Sequence, residues 1–190
     1  MKSFLVLSGL FIFILINTAN AQRSGYVITK KNDTIYCQVK LNGILMPQYQ
    51  NTADGKFHTI KPKSFNGYRL TGYPTTQVVK KIGRRHKPAF VTGLVKGRLN
   101  LYEETSYMKD EEGIWITNTN WYVSKGRDSL IEFANEDGFL MRHGKQIFHN
   151  MLADKPELAT AFDGEKHLYQ HGKFDIQKMM QYARHYNQSQ

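Results

Sequence analysis

Between Gly25 and Phe133 the chain alternates apolar and polar residues in short runs separated by turn-forming residues. A period of two is typical of strands that bury one face. The clearest run is residues 34–41, where Ile35, Cys37 and Val39 alternate with polar neighbours and follow the turn residues Asn32-Asp33. This pattern predicts a β-hairpin over Gly25–Leu41, with Cys37 on its apolar face as a buried thiol. Further strands are predicted at 44–50, 56–60, 68–71, 77–82, 89–96, 98–103, 114–117, 121–124 and 129–133.

Near Gly138 the apolar spacing changes to three and four residues, which is typical of amphipathic helices. A first helix is predicted from Phe139 to Leu152. A second is predicted to start at Asp154, with Asp154 as its cap and Glu157 completing a capping box, and to end at Gly164. A third is predicted over Ile176–Tyr186, capped by Asp175.

The order of these elements predicts an α+β fold. An N-terminal antiparallel β-meander, as a curled sheet or partial barrel, is followed by two to three C-terminal helices. We expect one domain over residues 22–190, with a β-rich part at 22–137 and a helical part at 138–190.

Residues 1–21 have the pattern of a signal peptide. Lys2 precedes an apolar stretch from Phe4 to Ile16, and Ala19-Asn20-Ala21 is a small-x-small cleavage site. Residue 22 is Gln, whereas a lipoprotein would carry Cys there. We therefore expect cleavage near Ala21 and a soluble, exported mature chain, periplasmic or extracellular, with no membrane span.

The chain is basic, with 26 Lys+Arg against 16 Asp+Glu and a net charge of +10. The densest positive run lies at residues 80–87 and comprises Lys80, Lys81, Arg84, Arg85 and Lys87. In an exported protein such a run predicts binding to an envelope polyanion or a partner protein rather than to nucleic acid. The alternative is a solvated hairpin turn whose charges serve solubility.

Motifs for catalysis and cofactor binding are missing from the sequence. No phosphate-binding glycine loop and no Gly-x-Ser-x-Gly motif is present, and Ser106-x-x-Lys109 lacks the partner motifs of a Ser-x-x-Lys acyl enzyme. One cysteine excludes an intramolecular disulfide framework, so we predict no cofactor and no catalytic residue. His167 and His171 have the i, i+4 spacing of two ligands on one helical face and are weak candidates for metal binding, although surface histidines are the favoured interpretation. Tyr102, Trp115, Trp121 and Tyr122 suit either a sheet core or a sugar- or peptide-binding face.

Several short stretches resemble exported proteins of unknown function from Bacteroidetes-type bacteria. They are Gly25-Tyr26-Val27-Ile28-Thr29 with Asn32-Asp33-Thr34-Ile35, Leu94-Val95-Lys96-Gly97-Arg98-Leu99-Asn100-Leu101-Tyr102-Glu103, Tyr122-Val123-Ser124-Lys125-Gly126, Leu152-Ala153-Asp154-Lys155-Pro156-Glu157-Leu158, and Tyr186-Asn187. The resemblance implies a β-then-α envelope protein and brings no catalytic residues. Such proteins often carry Cys where this chain has Lys155. Asp33-Thr34-Ile35 and Asp128-Ser129-Leu130 also resemble O-glycosylation sites of these bacteria, although a polar turn entering a strand explains both.

Together these features predict an exported cell-envelope protein that acts as a non-catalytic binding or interaction module. The alternative is a small periplasmic hydrolase whose site is assembled from residues distant in sequence. A hydrolase would need a deep pocket containing a carboxylate or histidine with a shifted pKa. Neither the ligand nor the oligomeric state follows from the sequence.

Overall fold

The computed structural model describes residues 24–42, 46–83, 85–126, 129–136, 138–139, 143–170 and 173–189. These residues form antiparallel strands followed by three helices, as an α+β fold requires. The chain divides into two compact units, one ending at Thr76 and the other beginning at Gln77. None of the helices in the described ranges is long and apolar enough to cross a membrane. The predicted signal peptide, residues 1–21, lies outside the described residues.

The first unit contains two groups of antiparallel strands. In one, the central strand β1 (Tyr26–Thr29) pairs with β2 (Thr34–Tyr36) and β6 (Phe65–Arg69). In the other, β4 (Met46–Gln50) lies between β3 (Val39–Asn42) and β5 (Phe57–Thr59). Among the described residues of this unit, the buried apolar side chains are Val27, Val39, Ile60 and Tyr68.

The second unit is built on a meander in which neighbouring strands are consecutive in sequence and antiparallel. Its strands are β7 (Thr76–Ile82), β8 (Arg85–Val95), β9 (Leu99–Lys109), β10 (Trp115–Lys125), β11 (Ile131–Asn135) and β12 (Gly138–Phe139). The helices are α1 (His143–Leu152), α2 (Pro156–Asp163) and α3 (Ile176–Gln188). A small hairpin, β13 (Tyr169–Gln170) with β14 (Lys173–Phe174), lies between α2 and α3 in sequence.

The two faces of the central hairpin β9–β10 face different cores. Leu99, Leu101, Trp121 and Val123 pack with the helices, and their apolar partners there include Phe148, Leu152, Phe162, Met179, Ala183 and Tyr186. Tyr102 and Tyr122 point to the other face, where they pack with Ile82, Val91 and Leu130. The cluster packed against the helices contains more buried apolar side chains than the cluster on the other face. Since each fully buried Leu or Phe side chain contributes about 1.5–3 kcal/mol, the first cluster contributes more to the stability of this unit.

The end of β7 contacts the residue just before β11, although β8, β9 and β10 separate these two strands in the order of the sheet. Ile82 forms a parallel bridge with Leu130, and the Gly83 N–H donates to the Leu130 carbonyl at 3.0 Å. The side chains of Ile82 and Leu130 are both buried.

Three expectations from the sequence differ from the structure. Residues 34–41 do not form one strand, because β2 ends at Tyr36 and Val39 begins β3 in the other group of strands. Ile35 and Leu41 are exposed, and Cys37 is half-buried. Strands β9 and β10 each run for eleven residues, beyond the predicted 98–103, 114–117 and 121–124. Phe139 lies in β12, and the first helix begins only at His143.

Candidate binding groove between two C-terminal helices

An open groove of about 870 Å³ lies between α2 and α3. One wall is apolar and consists of Leu158 and Ala161 from α2 with Tyr182 from α3. Helix α2 buries Leu158, Ala159 and Phe162, and the small side chain of Ala161 lines the groove beside Leu158. Its volume lies within the range of about 300–1,000 Å³ that is common for ligand sites.

Tyr182 is held firmly in the apolar wall. Its ring packs edge-on against Phe162 at 5.3 Å between centroids, and its hydroxyl donates to the Ala161 carbonyl at 3.2 Å. Burial, and then the nearby Glu165 carboxylate, raise the pKa of the Tyr182 hydroxyl. The ring is therefore a neutral and preorganised surface at physiological pH.

One end of the groove carries a neutralised charge pair. The Lys178 ammonium lies 3.6 Å from Glu165. The backbone N–H of His167, and then the charge of Lys178, lower the pKa of the Glu165 carboxyl. Glu165 is therefore ionised at neutral pH, whereas a general acid would require a raised pKa.

The other end of the groove is formed by Lys155, His185 and Ser189. The Lys155 ammonium donates to the carbonyl of Tyr186 at 2.8 Å and to the hydroxyl and carbonyl of Ser189. A cation at the last carbonyls of a helix satisfies free acceptors and complements the helix dipole. Lys155 therefore ties the start of α2 to the end of α3 and sets the width of the groove.

Asp154 directly precedes Lys155 and anchors the start of α2 to β10 and to α3. Its carboxylate accepts from the Lys125 ammonium and the Tyr186 hydroxyl, each at 2.7 Å, and from the Arg98 guanidinium at 2.9 Å. The hydrogen bond from Lys125, followed by that from Tyr186, lowers the pKa of Asp154 to about 2. Burial raises the pKa of Tyr186, so its hydroxyl stays protonated and able to donate.

Asn187 adds a second connection between α3 and the sheet. Its side chain accepts from the Leu99 N–H and donates to the Leu99 carbonyl, both at 2.9 Å. A Cβ at Gly97 would lie 2.4 Å from the Asn187 amide, so this close approach requires glycine. The same side chain therefore fixes both the helix end and the β8–β9 turn.

Four of the stretches that carry the resemblance to exported proteins meet at this anchor. They contribute Arg98, Lys125, Asp154 and Tyr186 with Asn187. The sequence predicted Asp154 as the cap of α2, and that prediction is wrong: the N-cap is Lys155, without a side-chain cap. The cations and the phenol bind the Asp154 carboxylate instead.

The predicted polyanion site is described only in part. Lys80 and Lys81 lie near the end of β7, with the Lys80 ammonium 5.5 Å above the Tyr102 ring and Lys81 exposed. Arg85 and Lys87 belong to β8, but their side chains, like the whole of Arg84, lie outside the described residues. The binding of a polyanion there stays a prediction.

Of the histidine pair, the structure describes only His167, which is exposed and precedes strand β13. His171 lies outside the described residues, so metal binding by this pair stays a prediction. Within the described ranges, no three His, Cys, Asp or Glu side chains are grouped closely enough to hold a metal ion.

Three of the four aromatic residues considered for a binding face are part of the core. Tyr102, Trp121 and Tyr122 are buried, while Trp115 is 45% exposed. Burial raises the pKa of the Cys37 thiol, which disfavours the reactive thiolate. Thr34 and Ser129 are both exposed, and their glycosylation stays a prediction.

Comparison with family models, with curated proteins and with solved structures finds no match. The residues of the groove were not identified from the sequence, because α2 and α3 supply them from positions about twenty residues apart. The lining residues are a mixture of polar and apolar types on two helices, and they match no known sequence motif for a binding site.

Proposed function

We propose that this chain is an exported cell-envelope protein, of the kind it resembles, that acts by non-catalytic binding through the groove between α2 and α3. The observation that supports this proposal is the firmly held apolar wall at Leu158, Ala161 and Tyr182 between two polar ends. A preorganised wall lowers the entropy lost on binding.

The charges of the groove favour a peptide as its ligand. Lys178 is neutralised by Glu165, and Lys155 is bound to the end of α3, so neither end offers a free cluster of one sign. Gln181, His185 and Ser189 supply exposed polar groups beside the apolar wall. An extended peptide complements such a groove, because it presents an apolar side chain flanked by amide donors and acceptors.

Selection from a random heptapeptide library on residues 22–190 tests this proposal. We expect enriched peptides with a central apolar residue. The variant Ala161→Trp fills the groove and should weaken their binding at least tenfold. Thr160→Trp is the matched control, since Thr160 is the exposed neighbour in α2 and does not line the groove. Failure to enrich any peptide, or equal binding by both variants, would contradict the proposal.

Polyanion binding by residues 80–87 is the second candidate. The run carries five fixed positive charges, and Lys81 is exposed. The charge-reversed variant K80E/K81E/R84E/R85E should lose binding to anionic phospholipid vesicles and to lipopolysaccharide, while the groove variant Ala161→Trp should retain it. Unchanged binding of the charge-reversed variant to both would eliminate this site.

We also propose that the meander of the second unit is curled. The bridge between Ile82 and Leu130 supports this, because it brings β7 to β11 across the intervening strands. The alternative of a small hydrolase gains no support from Glu165 in the groove, because the pKa of this carboxyl is lowered, whereas a general acid requires a raised pKa. An assay of the purified chain against casein and peptidoglycan fragments tests that alternative directly.

A further inference from the structure

The hairpin of β9 and β10 extends beyond the strands that flank it. Strand β8 pairs with β9 only as far as Glu103, and β11 pairs with β10 only from Asn120 onward. Among the described strands, none pairs with the outer edge of β9 over residues 104–109 or with that of β10 over residues 115–119. This distal part is therefore a ribbon of two strands, and such a ribbon is only marginally stable by itself in water.

The hydrogen bonds of this hairpin show which backbone groups of β10 point outward. At the turn, the Asp110 N–H donates to the Ile114 carbonyl at 2.9 Å. Because every second residue pair of an antiparallel ladder is hydrogen-bonded, the even-numbered residues of β10 bond β9. The N–H and C=O groups of Trp115 and Thr117 consequently point away from β9, to the open edge of the ribbon.

Large apolar side chains at this edge lie on both faces of the sheet. Ile114, Trp115 and Ile116 are 57%, 45% and 40% exposed. Since side chains alternate along a strand, Ile116 shares a face with Tyr122, and Trp115 lies on the opposite face, which packs against the helices further along β10. A flat partner surface covers only one of these faces, whereas a strand added at the edge contacts side chains on both. The open edge of β10 therefore suits an added strand.

The composition of β10 suits a second copy of the same strand. Residues 114–124 contain no charged side chain and no proline. Such a segment lacks the features that prevent edge-to-edge pairing in natural sheets. The other edge of the ribbon differs, because β9 carries Glu104 and Lys109. Two copies of β10 can thus approach without like charges meeting across the contact.

The acidic turn of the hairpin favours an antiparallel arrangement of the two copies. Asp110, Glu111 and Glu112 precede β10, and parallel pairing would bring the two turns side by side with like charges. Antiparallel pairing centred on Ile116 separates the turns by about eight residues, or roughly 25 Å. This separation exceeds the Debye length of about 8 Å at physiological salt, so the repulsion between the turns is screened.

We propose that two copies of this chain form a two-fold dimer by pairing their β10 strands edge to edge. Trp115 of one copy exchanges backbone hydrogen bonds with Thr117 of the second copy, and the two Ile116 side chains meet at the two-fold axis. The two ribbons become one sheet of four strands, which covers apolar surface of Ile114, Trp115 and Ile116. This interface is independent of the peptide groove.

Sedimentation velocity of residues 22–190 tests whether the dimer forms. We expect a concentration-dependent dimer whose affinity changes little between about 50 and 500 mM salt, because no charge lies in the contact. A chain that stays monomeric at high concentration overturns the proposal, as does an association that is lost at high salt.

Charged residues at position 116 identify the contact. Ile116→Lys and Ile116→Glu each bring like charges together at the two-fold axis, so each variant alone should dimerise at least tenfold more weakly. An equimolar mixture pairs opposite charges and should recover the dimer. Ile131→Lys is the matched control, because Ile131 is 41% exposed at the start of β11; it should dimerise as the unmodified chain does.

Circular dichroism checks that each of these variants is folded. Undiminished dimerisation of either position-116 variant, an equal loss in the Ile131→Lys control, or a mixture of the two folded position-116 variants that stays monomeric contradicts the proposed pairing.

Amide hydrogen exchange distinguishes strand pairing from a contact through side chains alone. The amides of Trp115 and Thr117 should exchange at least tenfold more slowly in the dimer than in Ile116→Lys. The amides of Thr105 and Tyr107, which point to the outer edge of β9, should exchange equally in both. A dimer in which neither Trp115 nor Thr117 gains protection overturns the proposed pairing, and so does protection gained on the β9 edge instead.

Discussion

At the residue scale, the Asp154 carboxylate joins helix α3 to two cations outside the helices. Lys125, Tyr186 and Arg98 all donate to it, although its side chain remains 34% exposed. A carboxyl whose pKa is lowered on folding stabilises the native state above its unfolded pKa of 3.8. That contribution is lost as the pH falls through about 2, the pKa in the folded chain.

We expect Asp154→Asn to lower the free energy of unfolding at pH 7 by about 1 kcal/mol, because solvent screens a partly exposed anchor. The difference from the unmodified chain should shrink between pH 4 and pH 2. Urea denaturation over this pH range measures it. Glu111→Gln, at an exposed turn, is the control and should have little effect. If the Asp154→Asn variant were as stable as the unmodified chain at pH 7, the anchor would contribute nothing.

The contact between Gly97 and Asn187 gives a second residue-scale prediction. Gly97→Ala should destabilise the chain by about 1–2 kcal/mol, because its Cβ displaces the amide that bonds Leu99. In an Asn187→Ala background the same change should cost much less. Urea denaturation of the four chains in a double-mutant cycle measures the coupling. Additive effects would exclude the contact.

At the element scale, Asp175 starts helix α3, which supplies one wall of the groove. Its carboxylate accepts from the backbone N–H groups of Gln177 and Lys178. Asp175→Ala should therefore cost about 1 kcal/mol, while Asp175→Asn, which also caps well, should cost only a small part of that. Thermal and urea unfolding compare the two variants. Equal losses in both would indicate that charge, rather than capping, is what matters at this position.

The sequence predicted the elements better than their contacts. Asp175 was identified as a cap because a cap acts within one turn of its own helix. The prediction that Asp154 caps α2 is wrong because its partners Arg98, Lys125 and Tyr186 are distant in sequence. The length of β9 and β10 was underestimated because their distal halves are exposed and lack clean alternation. The groove depends on how α2 and α3 pack, which no local pattern encodes.

At the scale of the whole molecule, the proposed export and the net charge of +10 favour binding in the cell envelope. Expression of the full chain in a bacterial host with an outer membrane should release a mature protein that begins at Gln22. Intact-mass measurement and N-terminal sequencing of the envelope fraction check this. A product that retains residues 1–21 in the cytoplasm would contradict the predicted signal peptide.

The single domain expected over residues 22–190 stays a prediction beside the two compact units found here. The groove lies entirely within the second unit, so its proposed activity does not depend on that question. The positive run at residues 80–87 belongs to the same unit. One unit therefore holds the candidate peptide site and the candidate polyanion site.

The most direct test of the groove is chemical-shift mapping by nuclear magnetic resonance. ¹⁵N-labelled residues 22–190 would be titrated with the most strongly enriched heptapeptide. We predict that the amides of Leu158, Ala161, Gln181 and Tyr182 shift most, and that these shifts disappear in Ala161→Trp. Shifts confined to residues outside the groove, such as the positive run at 80–87, with α2 and α3 unaffected, would contradict peptide binding in the groove.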